Sequence, residues 1–271
     1  MLLFSVLGCV EIKRNRSAVR LGGAMQQTLL ATLLVSGGDL VTVDSLIAEL
    51  WGTTPPAKVE NALQAQVSRV RRTLAALEPD RESSRVVTST SGYLFTVGRW
   101  ELDATLFLDA VEAIHARAGH GVHEDVEKDI AGLREALSRW RGPMFGGLAG
   151  GLICQTAAAR YLEARNSALT LLYDLELRIG GHERILPELA ELYFRNPAHE
   201  QFCMLLMRAL YRCGRQLDAL GIYRQCRRNL IESQGVEPSP ALSQYEQAIL
   251  THDPRLLQDE PYWPVPALAA H

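Results

Sequence analysis

The sequence predicts a multidomain chain: an α+β winged helix-turn-helix followed by an all-α domain of tetratricopeptide-like helical repeats. Three observations lead there. Over the first hundred residues the apolar spacing switches from a period near two to one near 3.6 and back, in the order sheet, helix, helix, helix, hairpin. From about Glu101 the strand signal ends and long amphipathic stretches follow. In that second part Gly180 and Gly214 stand 34 residues apart, each between two apolar-rich helices. That is the tetratricopeptide period.

The first part builds up as follows. Leu2 to Ile12 alternates loosely as a strand, and Ala18 to Leu21 is a second β-like run. The polar stretch Lys13-Arg14-Asn15-Arg16-Ser17 between them reads as a hairpin turn, and Gly22-Gly23 ends the small sheet. Leu29, Leu30, Leu33 and Leu34 form a helical stripe over 25–35, stopped by Gly37-Gly38. Asp44 is the expected cap of a second helix, with Leu46, Ile47 and Leu50 inward and Trp51 at its end. The segment Gly52-Thr53-Thr54-Pro55-Pro56 breaks that helix, and a longer one runs over about 57–77. After Pro79 comes a polar loop. Arg85–Thr88 and Tyr93–Val97, around Ser91-Gly92, then make a terminal hairpin. A three-helix unit closed by a hairpin is a winged helix-turn-helix.

The second part offers helices over 103–119, 123–141, 155–179, 184–195, 199–213, 215–233 and 239–251. Their breaks are Gly119, Gly142-Pro143, Gly180-Gly181, Pro197, Gly214 and Gly235. Such short connections favour antiparallel neighbours. Residues 123–165 are a candidate degenerate first repeat. The boundaries drawn are 1–98 for the winged helix, 101–254 for the helical domain and 255–271 for a proline-rich flexible tail.

The 271 residues are 47% hydrophobic and 22% charged, values that exclude a collagen-like, low-complexity or fully disordered chain. No apolar run reaches the roughly 18 residues of a membrane span. The stretch Met1–Val10 is apolar but lacks a basic lead and a small-residue cleavage site, so it reads as a strand and not a signal peptide. Cys9, Cys154, Cys203, Cys213 and Cys226 form no CxxC pair, and reduced, mostly buried thiols in a cytoplasmic protein are expected. The net charge of −3 is unevenly spread. Residues 1–100 carry eleven Lys and Arg against eight Asp and Glu, a net +3, while 101–271 carry seventeen against twenty-three, a net −6.

The third helix carries the functional argument. At about 100° per residue, Leu63, Val67, Val70 and Leu74 fall within about 60° of one another and form the buried stripe. Lys58, Asn61, Ala65, Ser68, Arg69 and Arg72 cluster on the far side, with Gln66 and Arg71 on opposite flanks. Lysine and arginine neutralise phosphates and release counterions. Arginine also grips guanine, and Asn or Gln grips adenine. Small residues such as Ala65 and Ser68 let a helix backbone sit deep in a major groove. A solvated basic face is the competing reading; the two helices before it and the hairpin after it argue for the groove. Arg85, Thr88 and Thr90 on the hairpin are placed to reach a neighbouring backbone or minor groove.

On these segments the sequence resembles the SARP family (Streptomyces antibiotic regulatory protein), an OmpR-type DNA-binding domain fused to a bacterial transcriptional activation domain. The matching runs are Gln27–Ala31, Val43–Gly52, Pro55-Pro56, Asn61–Gln64, Val67–Arg72 and Gly92-Tyr93. Further on they are Trp140–Pro143, Leu206–Arg212, Gly214-Arg215, Ala219-Leu220, Tyr223 and Gly235–Ala241. Together they span about residues 1–254. The resemblance implies an activator of a biosynthetic gene cluster that binds direct repeats in double-stranded DNA near a promoter. It also implies recruitment of RNA polymerase with its sigma factor, by protomers lying side by side on the duplex. Carried over by position, Lys58, Asn61, Gln66, Ser68, Arg69, Arg71 and Arg72 line the DNA side, with Arg85 from the wing. Arg69 is the expected base contact, and Arg71 and Arg72 the phosphate contacts. Gly52, Thr53, Thr54 and Pro55 correspond to the loop that touches polymerase. The wing departs from the family pattern, with Thr90-Ser91-Gly92 where a proline pair is frequent. With no receiver module before it and no nucleotide-binding module after it, the chain reads as the short form.

No catalytic constellation is present, so no enzymatic activity and no cofactor are expected. His115, His120 and His123 lie near Glu124 and Asp125, but their spacing suits a helix boundary better than a metal site. The run Gly146–Gly151 lacks the lysine and preceding strand of a phosphate loop and reads as an interhelical loop. The alternative function is a helical-repeat interaction scaffold whose winged helix has a role other than DNA binding.

Overall fold

A computed structural model describes residues 2–15, 17–119 and 125–257. Packing groups the chain into two compact units, Met1–Ala113 with Glu135–Arg165, and Ile114–Arg134 with Asn166–His271. The sequence boundary at 98–101 follows the change of secondary structure, whereas packing divides the chain elsewhere.

In the first unit, β1 (Leu2–Ser5), β2 (Glu11–Arg14) and β3 (Ser17–Val19) form an antiparallel sheet in that order. The single run expected over Leu2–Ile12 is thus two strands, paired from Leu2↔Arg14 to Ser5↔Glu11. The reason lies far along the chain. In the 6–10 turn, the Val6 and Leu7 amides donate to the Asp103 carboxylate at 2.8 and 3.4 Å. The Val6 and Leu7 carbonyls accept from Phe145 and Arg141 amides at 2.9 and 2.8 Å. Backbone groups that a continuous ladder would use are satisfied from outside it.

Helices α1 (Ala24–Val35), α2 (Val43–Trp51) and α3 (Val59–Leu77) pack on one another. Leu29, Leu30, Leu33, Leu34, Leu46, Leu63, Val67, Val70 and Leu74 are buried between them. The cap of α2 is Thr42, whose hydroxyl accepts from the Ser45 amide at 3.2 Å, and Asp44 sits inside the first turn. This corrects the expected start by two residues: Thr42 is extended and Asp44 already helical. Strands β5 (Val86–Ser89) and β6 (Gly92–Phe95) form the terminal hairpin. A two-residue strand, β4 (Val41–Thr42), adds to the outer side of β6, giving the order β4-β6-β5. Gly92 permits this, since a Cβ there would stand 2.0 Å from the Val41 carbonyl oxygen. Phe95 packs edge-on against Phe4, with ring centroids 5.3 Å apart.

The rest of this unit comes from α4 (Asp103–Gly119), α5 (Val126–Ser138) and α6 (Leu152–Arg178), in the portions within its limits. Met144–Gly147 is a 3-10 turn in the loop expected there. Helix α6 starts after Gly150-Gly151, which supply no capping side chain. Glu49 of α2 supplies one, accepting from the amides of Gly151, Ile153 and Cys154 at 2.8, 2.5 and 3.3 Å. Residues 135–165 therefore group with the winged helix and not with a degenerate first repeat.

The second unit stacks the end of α6 with α7 (His182–Arg195), α8 (Glu200–Arg212), α9 (Gln216–Gln234) and α10 (Pro240–Leu250). Its core includes Leu177, Ile185, Leu189, Tyr193, Phe202, Leu206, Tyr223, Leu230, Leu242 and Ile249. The repeat is visible in the backbone. Gly180 and Gly214 adopt φ of 76° and 74°. The Gly180 amide donates to Leu177 and the Gly181 amide to Glu176; the Gly214 and Arg215 amides repeat this on Tyr211 and Leu210. Each is a Schellman motif. The same offset links side chains: Arg208 donates to Asp174, 34 residues earlier, at 2.9 Å.

The five cysteines are free; three are buried, Cys213 is half-buried and Cys9 is exposed. Burial pushes the Cys154 thiol up to about 12 against a hydrogen bond with Thr32. Of the tail, Pro254–Leu257 forms a 3-10 turn with Leu256 buried, and 258–271 lie outside the described residues. So do His120, His123 and Glu124 of the candidate metal cluster; His115 is hydrogen-bonded to Ser167 at 3.1 Å. Among the described residues no cluster of metal-ligating side chains occurs, and no helix is long and apolar enough to cross a membrane.

Candidate nucleic-acid interface

Helix α3 buries one face and exposes the other. Leu63, Val67, Val70 and Leu74 are at most 3% exposed and turn the opposite side outward. Asn61, Gln64, Ala65, Ser68, Arg69 and Arg72 are exposed along it, and Lys58 stands exposed at its start. Arg69 and Arg72 make none of the ion pairs found among the described residues. Two small side chains, two amides and three cations thus share one surface. Most of it was legible from helical spacing alone; Gln64 was not singled out, although it lies on that surface.

The flanking positions behave differently. Gln66 is half-buried, and its Oε1 is shielded from solvent with no hydrogen-bond partner among the described residues. Arg71 is also half-buried. Its Nε and Nη2 donate to the Val86 carbonyl at 3.0 and 2.9 Å, and Nη2 also to Thr88 Oγ1 at 2.7 Å. Its guanidinium lies 5.9 Å from the centre of the Tyr93 ring. Arg71, expected as a phosphate contact, thus engages the hairpin through its guanidinium.

Arg85 requires a full correction. It is 2% exposed and cannot reach DNA from the wing. It is gripped in two-pronged fashion by Glu78 (2.5 and 2.7 Å) and Glu101 (2.8 and 2.7 Å). It also donates to the Thr96 carbonyl at 3.0 Å and lies 5.1 Å over the Phe4 ring. Burial acts to lower its pKa, and the hydrogen bonds with both glutamates outweigh that, leaving it above the ordinary arginine value. The hydrogen bond from Arg85 in turn holds Glu78 and Glu101 below the usual carboxylate range. The exposed residues at the hairpin tip are Thr88, Ser89, Thr90 and Ser91.

The turn between α2 and α3 is exposed at every residue of Gly52–Pro56. Gly52 closes α2 at φ 57°. The Thr54 amide and hydroxyl both donate to the Trp51 carbonyl, at 3.1 and 3.3 Å. This holds a defined bulge that presents Thr53 and Pro55 outward.

The surroundings of this helix match known families. Residues 19–95 match the family "Transcriptional regulatory protein, C terminal", and 102–250 match the "Bacterial transcriptional activator domain". The chain is 35% identical to the transcriptional regulator RedD of Streptomyces coelicolor, over 96% of this chain and 75% of RedD. It is 32% identical to the regulatory protein DnrI of Streptomyces peucetius, over 98% of both. Among solved structures, Mycobacterium tuberculosis EmbR in complex with low affinity phosphopeptide is similar, with a TM-score of 0.82 and 28% identity. The match covers 93% of this chain and 65% of that one.

Proposed function

The chain belongs to the SARP family of transcriptional regulators, and from that premise we propose that it activates an antibiotic or secondary-metabolite gene cluster by sequence-specific DNA binding. The observation that carries this reading is the outward face of α3, where Lys58, Asn61, Ala65, Ser68, Arg69 and Arg72 stand exposed above a buried apolar stripe. Such a face suits a major groove: the small residues allow close approach, Arg69 contacts a base, and Arg72 and Lys58 contact phosphates. The hairpin tip at Thr88–Ser91 reaches the backbone beside it.

In this reading the sites are direct repeats near promoters, and protomers lie side by side on one face of the duplex, a head-to-tail arrangement that needs no stable dimer in solution. The exposed Gly52–Pro55 turn meets RNA polymerase and its sigma factor. The activity is one of binding throughout, in keeping with a family of regulators.

The deciding experiment mixes purified protein with sheared genomic DNA of its host and sequences the bound fragments, with Arg69→Ala run in parallel. Enrichment of a few promoters bearing spaced repeats, lost in the variant, is the expected result. Absence of enrichment at low salt would refute the proposal.

A further inference from the structure

We infer that Arg71 is a positioning residue for DNA reading: it clips the edge of the wing to the recognition helix and does not itself touch DNA. The inference rests on the DNA-binding reading above and concerns how that site is held in shape.

Strand β5 is the outer strand of its sheet, with β6 on one side and, among the described residues, no strand on the other. Such an edge leaves backbone groups unpaired. At Val86 both are satisfied by side chains. Its amide donates to Ser84 Oγ at 3.3 Å, and its carbonyl accepts from Arg71 Nε and Nη2 at 3.0 and 2.9 Å. The same guanidinium reaches Thr88 Oγ1 at 2.7 Å. One rigid, planar fork therefore holds two alternate residues of β5, which fixes the strand's position along α3 as well as its distance from it. Neighbouring arginines point elsewhere. At about 100° per residue, Arg72 lies a quarter-turn or more away from Arg71 and Arg69 nearly opposite. Both are exposed, whereas Arg71 is half-buried. Consecutive cations on one helix thus divide the work: Arg69 and Arg72 face outward and Arg71 ties the wing. The Arg85–Glu78 pair pins the two ends of the irregular loop 78–85 at the base of the hairpin, and Arg71 adds a tie farther along β5 toward its tip.

Two variants separate positioning from phosphate contact. Arg71→Lys keeps the charge and loses the fork; Arg71→Met removes both. The first readout is amide hydrogen exchange over Val86–Ser89 in the DNA-free protein. The second is affinity for a duplex selected from a random-sequence pool, measured across a salt series. The clip predicts faster exchange over Val86–Ser89 in both variants. It also predicts about tenfold weaker binding of the selected duplex in both, with an unchanged dependence on salt. A phosphate contact predicts near-normal binding for Arg71→Lys. For Arg71→Met it predicts a log–log salt slope shallower by about 0.9, with exchange unchanged; that pattern would overturn the inference. Unchanged exchange and binding in both variants would overturn it equally. Thr88→Val, which removes only one acceptor, is the milder check and should speed exchange less than Arg71→Met. If the wild-type chain bound no duplex at all, the functional proposal would fall, and the exchange readout would still decide whether Arg71 holds the wing.

Discussion

The arginines of α3 and the hairpin meet three different fates, and each follows from its partners. Arg69 and Arg72 face solvent, Arg71 grips the hairpin, and Arg85 is enclosed by Glu78 and Glu101. Replacing Arg69 by Ala should abolish preference for the selected sequence while sparing general DNA affinity; replacing Arg72 should weaken binding to all duplexes alike. Competition binding with specific and shuffled duplexes distinguishes them, and equal loss of preference in both would refute the assignment. Arg85→Ala removes the cation from two largely buried carboxylates. The cost should be about 3 kcal/mol of unfolding free energy, measurable by urea denaturation. The same cluster predicts an acid dependence. Glu78 and Glu101 have depressed pKa values in the folded chain. Their stabilisation is therefore complete above the ordinary carboxylate pKa of about 4.3 and is lost as pH falls through the folded values. Urea midpoints measured from neutral pH downward should fall less steeply in Arg85→Met than in the wild type. Position on the helical wheel was enough to place Arg69 and Arg72. It was not enough for Arg85, because one of its partners lies seven residues back and the other sixteen ahead.

At the scale of elements, helix ends separate what is local from what is not. Gly180 and Gly214 close their helices in the same left-handed conformation, and at either position a Cβ would meet no atom within 4 Å. Gly180→Ala and Gly214→Ala should each cost about 1 kcal/mol through backbone conformation alone, and by nearly equal amounts. A loss at one site only, in thermal unfolding, would argue against equivalent repeats. Helix α6 begins differently. Its capping group is Glu49, about a hundred residues earlier, buried and accepting from three amides. Glu49→Gln turns one acceptor into a donor facing those amides and should cost about 1–2 kcal/mol in urea denaturation. The glycine stops were legible in the sequence because a left-handed cap needs a residue type. The Glu49 cap was not, since a glutamate in the last turn of a short amphipathic helix looks like any other charged position.

For the whole molecule, overall charge is a poor guide to partner. The chain carries −3, yet the proposed reading face presents Lys58, Arg69 and Arg72. Two phosphate contacts, by Lys58 and Arg72, predict a log–log salt slope of about −2 per protomer, read by fluorescence anisotropy with a selected duplex. A slope near zero would remove the groove-binding reading despite the family relationship. The order of helices, the apolar stripe of α3 and the 34-residue repeat were all present in the linear pattern, because each rests on periodicity, turn chemistry or spacing within a few tens of residues. Three features depended on the folded chain: the splitting of the first strand by Asp103, the capping of α6 by Glu49, and the engagement of Arg71 with the hairpin and of Arg85 with two glutamates. All three are hydrogen bonds or ion pairs whose partners are distant in sequence or set by the approach of one element to another. Apolar periodicity tells which side of an element turns inward, but only the packed chain decides which polar group it meets there.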